Sequence, residues 1–134
     1  MNIVCAIIVK KGKVFAAKRK PDKSNPNLWE YPGEKVEEGE DFYVAITREI
    51  HEEFNLHIMP TGRFEPSEVY DGASGITLIP ICCELKGGNM SLTDHSEFAW
   101  LNPKEVDKKS WSPADRKLLE AVKLYLDPRK AFKV

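Results

Sequence analysis

The chain has 134 residues, a length typical of one compact domain, so we expect residues 1–134 to fold around one core. Hydrophobic residues make up 42% and charged residues 31%, which is enough apolar surface for folding and excludes disordered, collagen-like and mucin-like chains. Twenty Lys and Arg against 21 Asp and Glu give a net charge of −1, so no basic field is present to hold a nucleic-acid polymer.

The start of the chain predicts a hairpin followed by a long loop. Apolar residues at 3–9 and again at 14–17 flank a Lys-Gly-Lys turn at 11–13, which is typical of two paired strands. The run at 3–9 is far shorter than the roughly 20 residues that cross a bilayer, and no basic region precedes it, so we expect neither a membrane span nor a signal peptide. Breaker residues at 21–27 predict a surface loop.

A helix is predicted from Asp41 to Phe54. Apolar residues recur there at helical spacing, Asp41 can cap the first amides, and Asn55 suits a left-handed stop. Residues 57–70 and 76–85 have strand character and flank a glycine-containing turn, which predicts a second hairpin.

The end of the chain predicts a short strand near 98–101 and then a C-terminal helix that begins near Ser112 or Pro113. Strands mixed with two helices in one small domain predict an α+β fold of the α/β/α sandwich type. The cysteines Cys5, Cys82 and Cys83 have no metal-ligand spacing and lie in apolar runs. Reduced cysteines of this kind predict a cytoplasmic protein, and the sequence leaves a monomer or a homodimer open.

The most informative feature of the predicted helix is its set of acidic residues. Glu49, Glu52 and Glu53 have spacings i, i+3 and i+4, so their directions span about 100° of the helix circumference. Like charges at this spacing repel each other. A hard divalent cation such as Mg²⁺ prefers carboxylate oxygens, and its binding would offset this repulsion. The alternative is an ordinary solvent-facing acidic helix. The acid-rich segment at 29–40, predicted to be a loop, favours the metal, because glycine there lets the backbone approach a ligand closely.

Residues 33–56 resemble the Nudix box, a loop-helix-loop signature written G-x5-E-x7-R-E-U-x-E-E-x-G-U, where U is a bulky aliphatic residue. The residues in register are Glu40, Arg48, Glu49, Ile50, Glu52, Glu53 and Leu56. The resemblance implies a Nudix fold, with a mixed sheet between helices and a catalytic loop-helix-loop box.

Two positions depart from the box. Its first glycine aligns with Glu34 and its last with Asn55. Asn tolerates the left-handed helix stop, so we expect the second change to be mild. Glu34 either requires an unfavourable backbone angle or brings a further carboxylate beside the metal, and the sequence does not decide between these.

The resemblance also implies roles for individual residues. The metal ligands that the box implies, for Mg²⁺ or else Mn²⁺, are the Gly33 carbonyl, Glu49, Glu52 and Glu53. Residues 94–100 are similar to the E-H-x-E-x-x-W region of MutT-like members, which implies Asp94 as a further metal ligand, with Glu97 as the reserve. Glu49 or Glu53 is the implied general base. Glu40 and Arg48 are expected to hold the loop and helix together. The competing interpretation of Asp94 is a loop acid that caps a turn.

Residues outside the box resemble MutT-like members of the family. Trp29-Glu30-Tyr31-Pro32-Gly33 is similar to their WEFPG stretch. Ala17-Lys18-Arg19-Lys20 is similar to the basic strand end that precedes it in those members, which implies that Arg19 contacts substrate phosphate with Lys35 nearby. The alternative for Arg19 is an ordinary solvated cluster. Ser112-Pro113-Ala114-Asp115 resembles the element that contacts the base in MutT-like and CTP-cleaving enzymes. A carboxylate only accepts hydrogen bonds, so Asp115 favours cytosine N4 or guanine N1 and N2, unless it is simply a first-turn residue.

The resemblance therefore predicts a MutT-like Nudix hydrolase that cleaves a nucleoside triphosphate to the monophosphate and pyrophosphate with Mg²⁺. The predicted substrates are small nucleotides, either of the CTP or dCTP type or 8-oxo-dGTP. Two alternatives remain: hydrolysis of a nucleotide sugar or dinucleoside polyphosphate, and a catalytically silent module that binds a nucleotide.

Overall fold

The computed structural model describes residues 1–127 and 129. Its central strand is β1 (Asn2–Lys10), in which residues 4–8 are buried. A strand that is covered on both faces is apolar at consecutive positions rather than at alternate ones, which explains the unbroken apolar run near the start of the chain.

The other strands and the helices follow in chain order. The strands are β2 (Lys13–Arg19), β3 (Trp29–Glu30), β4 (Gly33–Lys35), β5 (Leu56–Arg63), β6 (Val69–Asp71), β7 (Ile76–Gly88) and β8 (His95–Leu101). The helices are α1 (Phe42–Phe54), α2 (Pro103–Val106), α3 (Pro113–Arg116) and α4 (Leu119–Leu126). Among these residues, no helix is both long and apolar enough to cross a membrane.

The sheet is mixed, with strand order β3-β2-β1-β7-β5. β1 runs parallel to β7, with residues 2–9 beside residues 77–84, and antiparallel to β2 and β4. β8 pairs with β2, and β6 pairs with β7. The pairing of β4 with β1 matters for function, because it fixes the loop before α1 to the middle of the sheet.

Two apolar cores lie on opposite faces of the sheet. The first, called the α1 core, joins α1 to the sheet and contains Val4, Ile8, Phe15, Ile50 and Phe54. The second, called the C-terminal core, joins the last helices to the sheet and contains Ile7, Tyr31, Trp111, Leu118 and Val122. The predicted α/β/α sandwich is therefore confirmed.

Helix α1 begins and ends as the sequence predicts. The Asp41 side chain accepts hydrogen bonds from the amides of Tyr43 and Val44, at 2.9 and 3.0 Å. Asn55 adopts the left-handed conformation with φ 55°, and its side-chain amide donates to the Asn89 carbonyl at 2.9 Å. Both ends of the helix are fixed by local side chains, so the direction of its acidic face is fixed too.

Three secondary-structure predictions need correction. The predicted strand at 57–70 is divided into β5 and β6 by residues 64–68, which include Pro66, a residue without an amide hydrogen for a ladder. The predicted C-terminal helix is divided into α3 and α4, although no glycine or proline marks the break at residues 117–118. The aromatic and acidic segments at 29–30 and 33–35, expected as loop, pair with β2 and β1 as short strands.

Candidate active site

An acidic cavity of about 190 Å³ lies between the start of β4, the end of α1 and the loop before β8. Its lining residues are Arg19, Lys23, Glu30, Gly33, Glu49, Glu53, Asp94 and His95. Four of the predicted metal ligands are thus brought together from three separate parts of the chain. A larger cavity of about 580 Å³ lies between α1 and β5, but no acidic side chain lines it.

Glu49 and Glu53 are partly buried and repel other carboxylates. Burial, followed by the charges of Glu34 and Glu53, raises the pKa of Glu49 to about 7. Burial, followed by a hydrogen bond to Asp94, raises the pKa of Glu53. A cation placed between carboxyl groups that lie this close together stabilises their charged form.

Glu52 differs from its two neighbours on the helix. Its side chain is 60% exposed, does not line the cavity, and lies with Oε1 4.0 Å from Nε of Arg48. Within residues 1–127 and 129, no three Asp, Glu, His or Cys side chains converge closely enough to form a ready metal site. The donor set nevertheless fits a hard divalent cation, because the cavity combines carboxylates on flexible side chains with a backbone segment.

Gly33 is required by packing at the base of the cavity. A β-carbon at this position would lie 2.5 Å from the Val4 carbonyl oxygen and 3.1 Å from the Cys5 β-carbon. Only glycine therefore allows β4 to pair closely with β1 here. This close pairing holds the backbone of residue 33 at the wall of the cavity.

Arg48 connects the loop before α1 to the helix. Its Nη2 lies 3.0 Å from Glu34 Oε2 and 3.4 Å from Glu40 Oε2. Glu40 also accepts a hydrogen bond from the Glu37 amide at 2.9 Å. Glu34 lies in the extended strand β4 and does not have a positive φ, so the unfavourable backbone angle does not occur. Its carboxylate instead pairs with Arg48 and adds negative charge near Glu49.

Arg19 is held by other residues on the opposite side of the cavity. Its Nη1 lies 3.1 Å from Glu30 Oε1, and its Nη2 donates to the Ser24 hydroxyl at 2.9 Å. Glu30 in turn lies 2.8 Å from Nε2 of His95. The guanidinium therefore orders the loop at 20–28 and the strand β3, while still lining the cavity.

A second cavity of about 280 Å³ adjoins the acidic one and shares Arg19, Glu30 and Gly33 with it. Lys35 and Asp115 line this second cavity and not the acidic one. Asp115 is buried, and its Oδ1 accepts a hydrogen bond from the Tyr31 amide at 2.8 Å. Burial, and then the nearby charge of Glu30, raise the pKa of Asp115 well above its usual value.

Sequence reasoning missed several residues that line the two cavities. Glu30 and His95 contact each other across 65 positions of the chain, which no local pattern indicates. Lys23 lies in the predicted loop, and Ser112 belongs to the segment at 112–115, in which the resemblance implies a role for Asp115 alone. Glu97, the reserve for Asp94, lies with Oε2 3.2 Å from Lys18 and does not line the acidic cavity.

Residues 1–122 match the family model of the NUDIX domain. The chain belongs to the Nudix family. It is 30% identical over 123 residues to the CTP pyrophosphohydrolase of Escherichia coli strain K12, an alignment that covers 90% of each chain. It is also 43% identical over 58 residues to the 8-oxo-dGTP diphosphatase of Buchnera aphidicola, an alignment that covers 43% of this chain and 45% of that protein.

Solved structures share the fold of this chain. The E. coli ORF135 protein superposes with a TM-score of 0.76 at 27% identity, covering 99% of this chain and 93% of that one. The MutT protein of Methanosarcina mazei superposes with a TM-score of 0.75 at 21% identity, covering 99% and 96%, and supports the fold. This Nudix protein is therefore a hydrolase of a family that generally uses divalent metal ions.

Proposed function

We propose that this Nudix hydrolase converts a nucleoside triphosphate and water to the nucleoside monophosphate and pyrophosphate, with Mg²⁺ as cofactor. The proposed substrates are nucleotides of the CTP or dCTP type, or 8-oxo-dGTP. The observation that carries this proposal is the pair of adjoining cavities, which share Arg19, Glu30 and Gly33.

The two cavities differ in chemistry in the way that a nucleotide requires. One gathers carboxylates and the Lys23 ammonium, which suits metal ions and the phosphates that they bind. The other is more apolar and ends at a buried carboxyl group and a serine, which suits a base and its sugar. A nucleotide that spans both cavities would have its reacting phosphates next to the carboxylates of α1.

The names of two relatives support the proposed class of nucleoside triphosphate substrates. The two relatives are named for the cleavage of CTP and of 8-oxo-dGTP, and the longer alignment is with the first. Asp115 is compatible with both, because its carboxyl group can bind an amino group on either base. Its raised pKa adds that, when protonated, it can also donate a hydrogen bond.

The carboxylates of α1 and the loop before β8 are the proposed metal ligands. These are the Gly33 carbonyl, Glu49, Glu52, Glu53 and Asp94, where Glu52 requires a change of side-chain rotamer to reach the cavity. A bound divalent ion would supply charge neutralisation of the phosphates and would lower the pKa of a bound water.

The protein's own groups supply the remaining chemistry. Glu49 or Glu53 accepts a proton from the attacking water. The oxygen of that water forms a bond to phosphorus while the phosphoanhydride bond to the pyrophosphate breaks. Lys23 has no ion pair among the described residues, so its charge is available to the phosphates. Arg19 is shared between Glu30 and substrate, and Lys35 extends the positive charge toward the second cavity.

An assay with a panel of nucleotides tests the proposal. The purified protein is incubated with Mg²⁺ and with each NTP, each dNTP, 8-oxo-dGTP, ADP-ribose or a dinucleoside tetraphosphate, and the products are resolved by anion-exchange chromatography. We expect a nucleoside monophosphate and pyrophosphate from a cytidine nucleotide or 8-oxo-dGTP. Release of orthophosphate, turnover of only the sugar or dinucleoside compounds, or no turnover at all would contradict it.

A further inference from the structure

Glu34 occupies the position of the first glycine of the Nudix box, and none of the proposed chemical steps uses it. Its carboxylate binds Arg48, whose Nη2 donates to Oε1 at 3.1 Å and to Oε2 at 3.0 Å. The pair joins β4 to α1 across 14 positions of the chain. A glycine could make no such contact, so this ion pair distinguishes the chain from the box pattern.

Arg48 lies between carboxylates of the loop side and a carboxylate of its own helix. On the loop side it contacts Glu34 and, at 3.4 Å, Glu40. On the helix side its Nε lies 4.0 Å from Oε1 of Glu52, which is too far for a hydrogen bond. The loop side therefore holds the guanidinium, and the contact with Glu52 is the loosest of these.

Glu52 has to leave this contact in order to bind a metal ion in the acidic cavity. Its side chain is 60% exposed and lies outside that cavity, so it arrives there only by a change of rotamer. An arginine one helical turn away would oppose the change if it were free, because a guanidinium can bind a carboxylate through two parallel hydrogen bonds. An arginine whose charge is already compensated by Glu34 opposes it less.

We propose that Glu34 is a positioning residue, which holds Arg48 toward the loop before α1 and thereby leaves Glu52 free to bind the divalent cation. The inference rests on the proposed function, which includes Glu52 among the metal ligands. Glu34 acts here through Arg48 and not as a ligand itself, since it lines the second cavity and not the acidic one. The departure from the box glycine then supports cation binding.

A plain charge effect is the competing explanation. The charge of Glu34 lies near Glu49 and contributes to the raised pKa of Glu49, so it would attract a cation whether or not Glu52 takes part. The two explanations differ in their dependence on Glu52. An effect that passes through Arg48 needs the Glu52 carboxylate, whereas a charge that acts through space does not.

A double-mutant cycle of Glu34→Gln and Glu52→Gln separates the two explanations. Binding of Mn²⁺ alone to the full chain is measured from the electron paramagnetic resonance signal of the free ion, for the wild type, both single variants and the double variant. Glu38→Gln removes an exposed carboxylate from the same loop and is the matched control in both backgrounds. Thermal unfolding without metal verifies that each variant is folded.

We expect Glu34→Gln to raise the Kd for Mn²⁺ about fivefold in the wild-type background and less than about twofold in the Glu52→Gln background. Glu34→Gly, which introduces the glycine of the box pattern, should give the same loss, so the result does not depend on one substitution. Glu38→Gln should stay within about twofold of its parent in both backgrounds.

The inference is overturned if Glu34→Gln binds Mn²⁺ as the wild type does, if it loses the same factor in both backgrounds, or if Glu52→Gln alone has no effect. Hydrolysis in the panel assay together with any of these outcomes would keep the proposed function and remove the role of Glu34. Coupling between Glu34 and Glu52 without hydrolysis of any nucleotide would do the reverse. A wild type that takes up no Mn²⁺ would remove both.

Discussion

Glu53 and Glu97 give a test of which acids act in catalysis. Glu53 lines the acidic cavity and shares a hydrogen bond with Asp94, whereas Glu97 pairs with Lys18 outside it. We expect Glu53→Gln to lower kcat about 10³-fold, because the variant loses a carboxylate that binds metal or accepts the proton of water. The measurement is steady-state hydrolysis of the preferred nucleotide, with circular dichroism to verify folding.

Glu97→Gln is the matched control for that experiment, since it removes an equal charge three residues from Asp94. Its kcat should stay within about twofold of the wild type, as expected for an exposed ion pair. Near-normal kcat in Glu53→Gln would remove Glu53 from the site. A large loss of kcat in Glu97→Gln would return Glu97 to the set of metal ligands.

Lys23 gives a second prediction at the level of a single residue. The Arg19 guanidinium is occupied by Glu30 and Ser24, while the Lys23 ammonium has no partner in the part of the chain that the structure describes. Lys23→Gln should raise KM for a nucleoside triphosphate about fivefold to tenfold and change kcat little, because it removes attraction for the phosphates in ground and transition states alike.

Lys13→Gln is the control, since Lys13 is an exposed lysine at the other end of β2. The difference in KM between the two variants should shrink in high salt, which screens charge. An equal KM for both variants at low salt would show that Lys23 does not act on the phosphates.

Some of the candidate site could be predicted residue by residue and some could not. Glu49, Glu53 and Gly33 follow a spaced pattern within one segment, which sequence alone reveals. The contact between Glu30 and His95 joins β3 to β8, so it exists only after two distant strands have paired with β2. The exposure of Glu52 also depends on the fold, because helical spacing alone does not reveal which part of an acidic sector the sheet covers.

The turn between β6 and β7 is stabilised by Asp71, and this predicts a pH dependence. Its Oδ2 accepts a hydrogen bond from the Ser74 hydroxyl at 2.6 Å, which lowers the pKa of Asp71 below its ordinary value of 3.8. A lowered pKa stabilises the folded state above the ordinary value, and this stabilisation is lost as the pH falls through the folded value.

Ser74→Ala should therefore lower the melting temperature at pH 7, and the difference from the wild type should shrink below about pH 4. Thermal unfolding is followed by circular dichroism at several pH values between 2 and 7. Ser67→Ala, which changes an exposed serine in the loop before β6, is the control and should match the wild type throughout. A difference that stays constant down to pH 2 would contradict the role of Asp71.

Whole elements were predicted best where local chemistry fixes them. Both ends of α1 follow from Asp41 and Asn55, whose side chains or conformations act on their nearest neighbours. The break between α3 and α4 has no such signal, because residues 117 and 118 are ordinary helix formers. The short strand β4 looks like loop in sequence and exists because β1 offers it a partner.

At the scale of the molecule, the two cores share one strand. Ile7 and Ile8 are adjacent in β1, fully buried, and belong to the C-terminal core and the α1 core respectively. Because β1 contributes to both cores and pairs with β7 along residues 2–9, loss of either core should disturb the other. Arg19 and Gly33 line both cavities and lie in β2 and β4, which pair with β1. The candidate active site therefore depends on both cores.

We therefore expect Ile7→Ala and Ile8→Ala each to lower the free energy of unfolding by about 2–5 kcal/mol, the usual cost of a large-to-small change in a core. Urea unfolding is followed by tryptophan fluorescence and by far-ultraviolet circular dichroism. Two of the three tryptophans, Trp29 and Trp111, lie in the C-terminal core and Trp100 packs against the α1 core, so fluorescence reports mainly on the C-terminal core. For a single cooperative unit, the two transitions coincide in both variants. Fluorescence that changes at a lower urea concentration than circular dichroism in Ile7→Ala would mean that the two cores unfold independently.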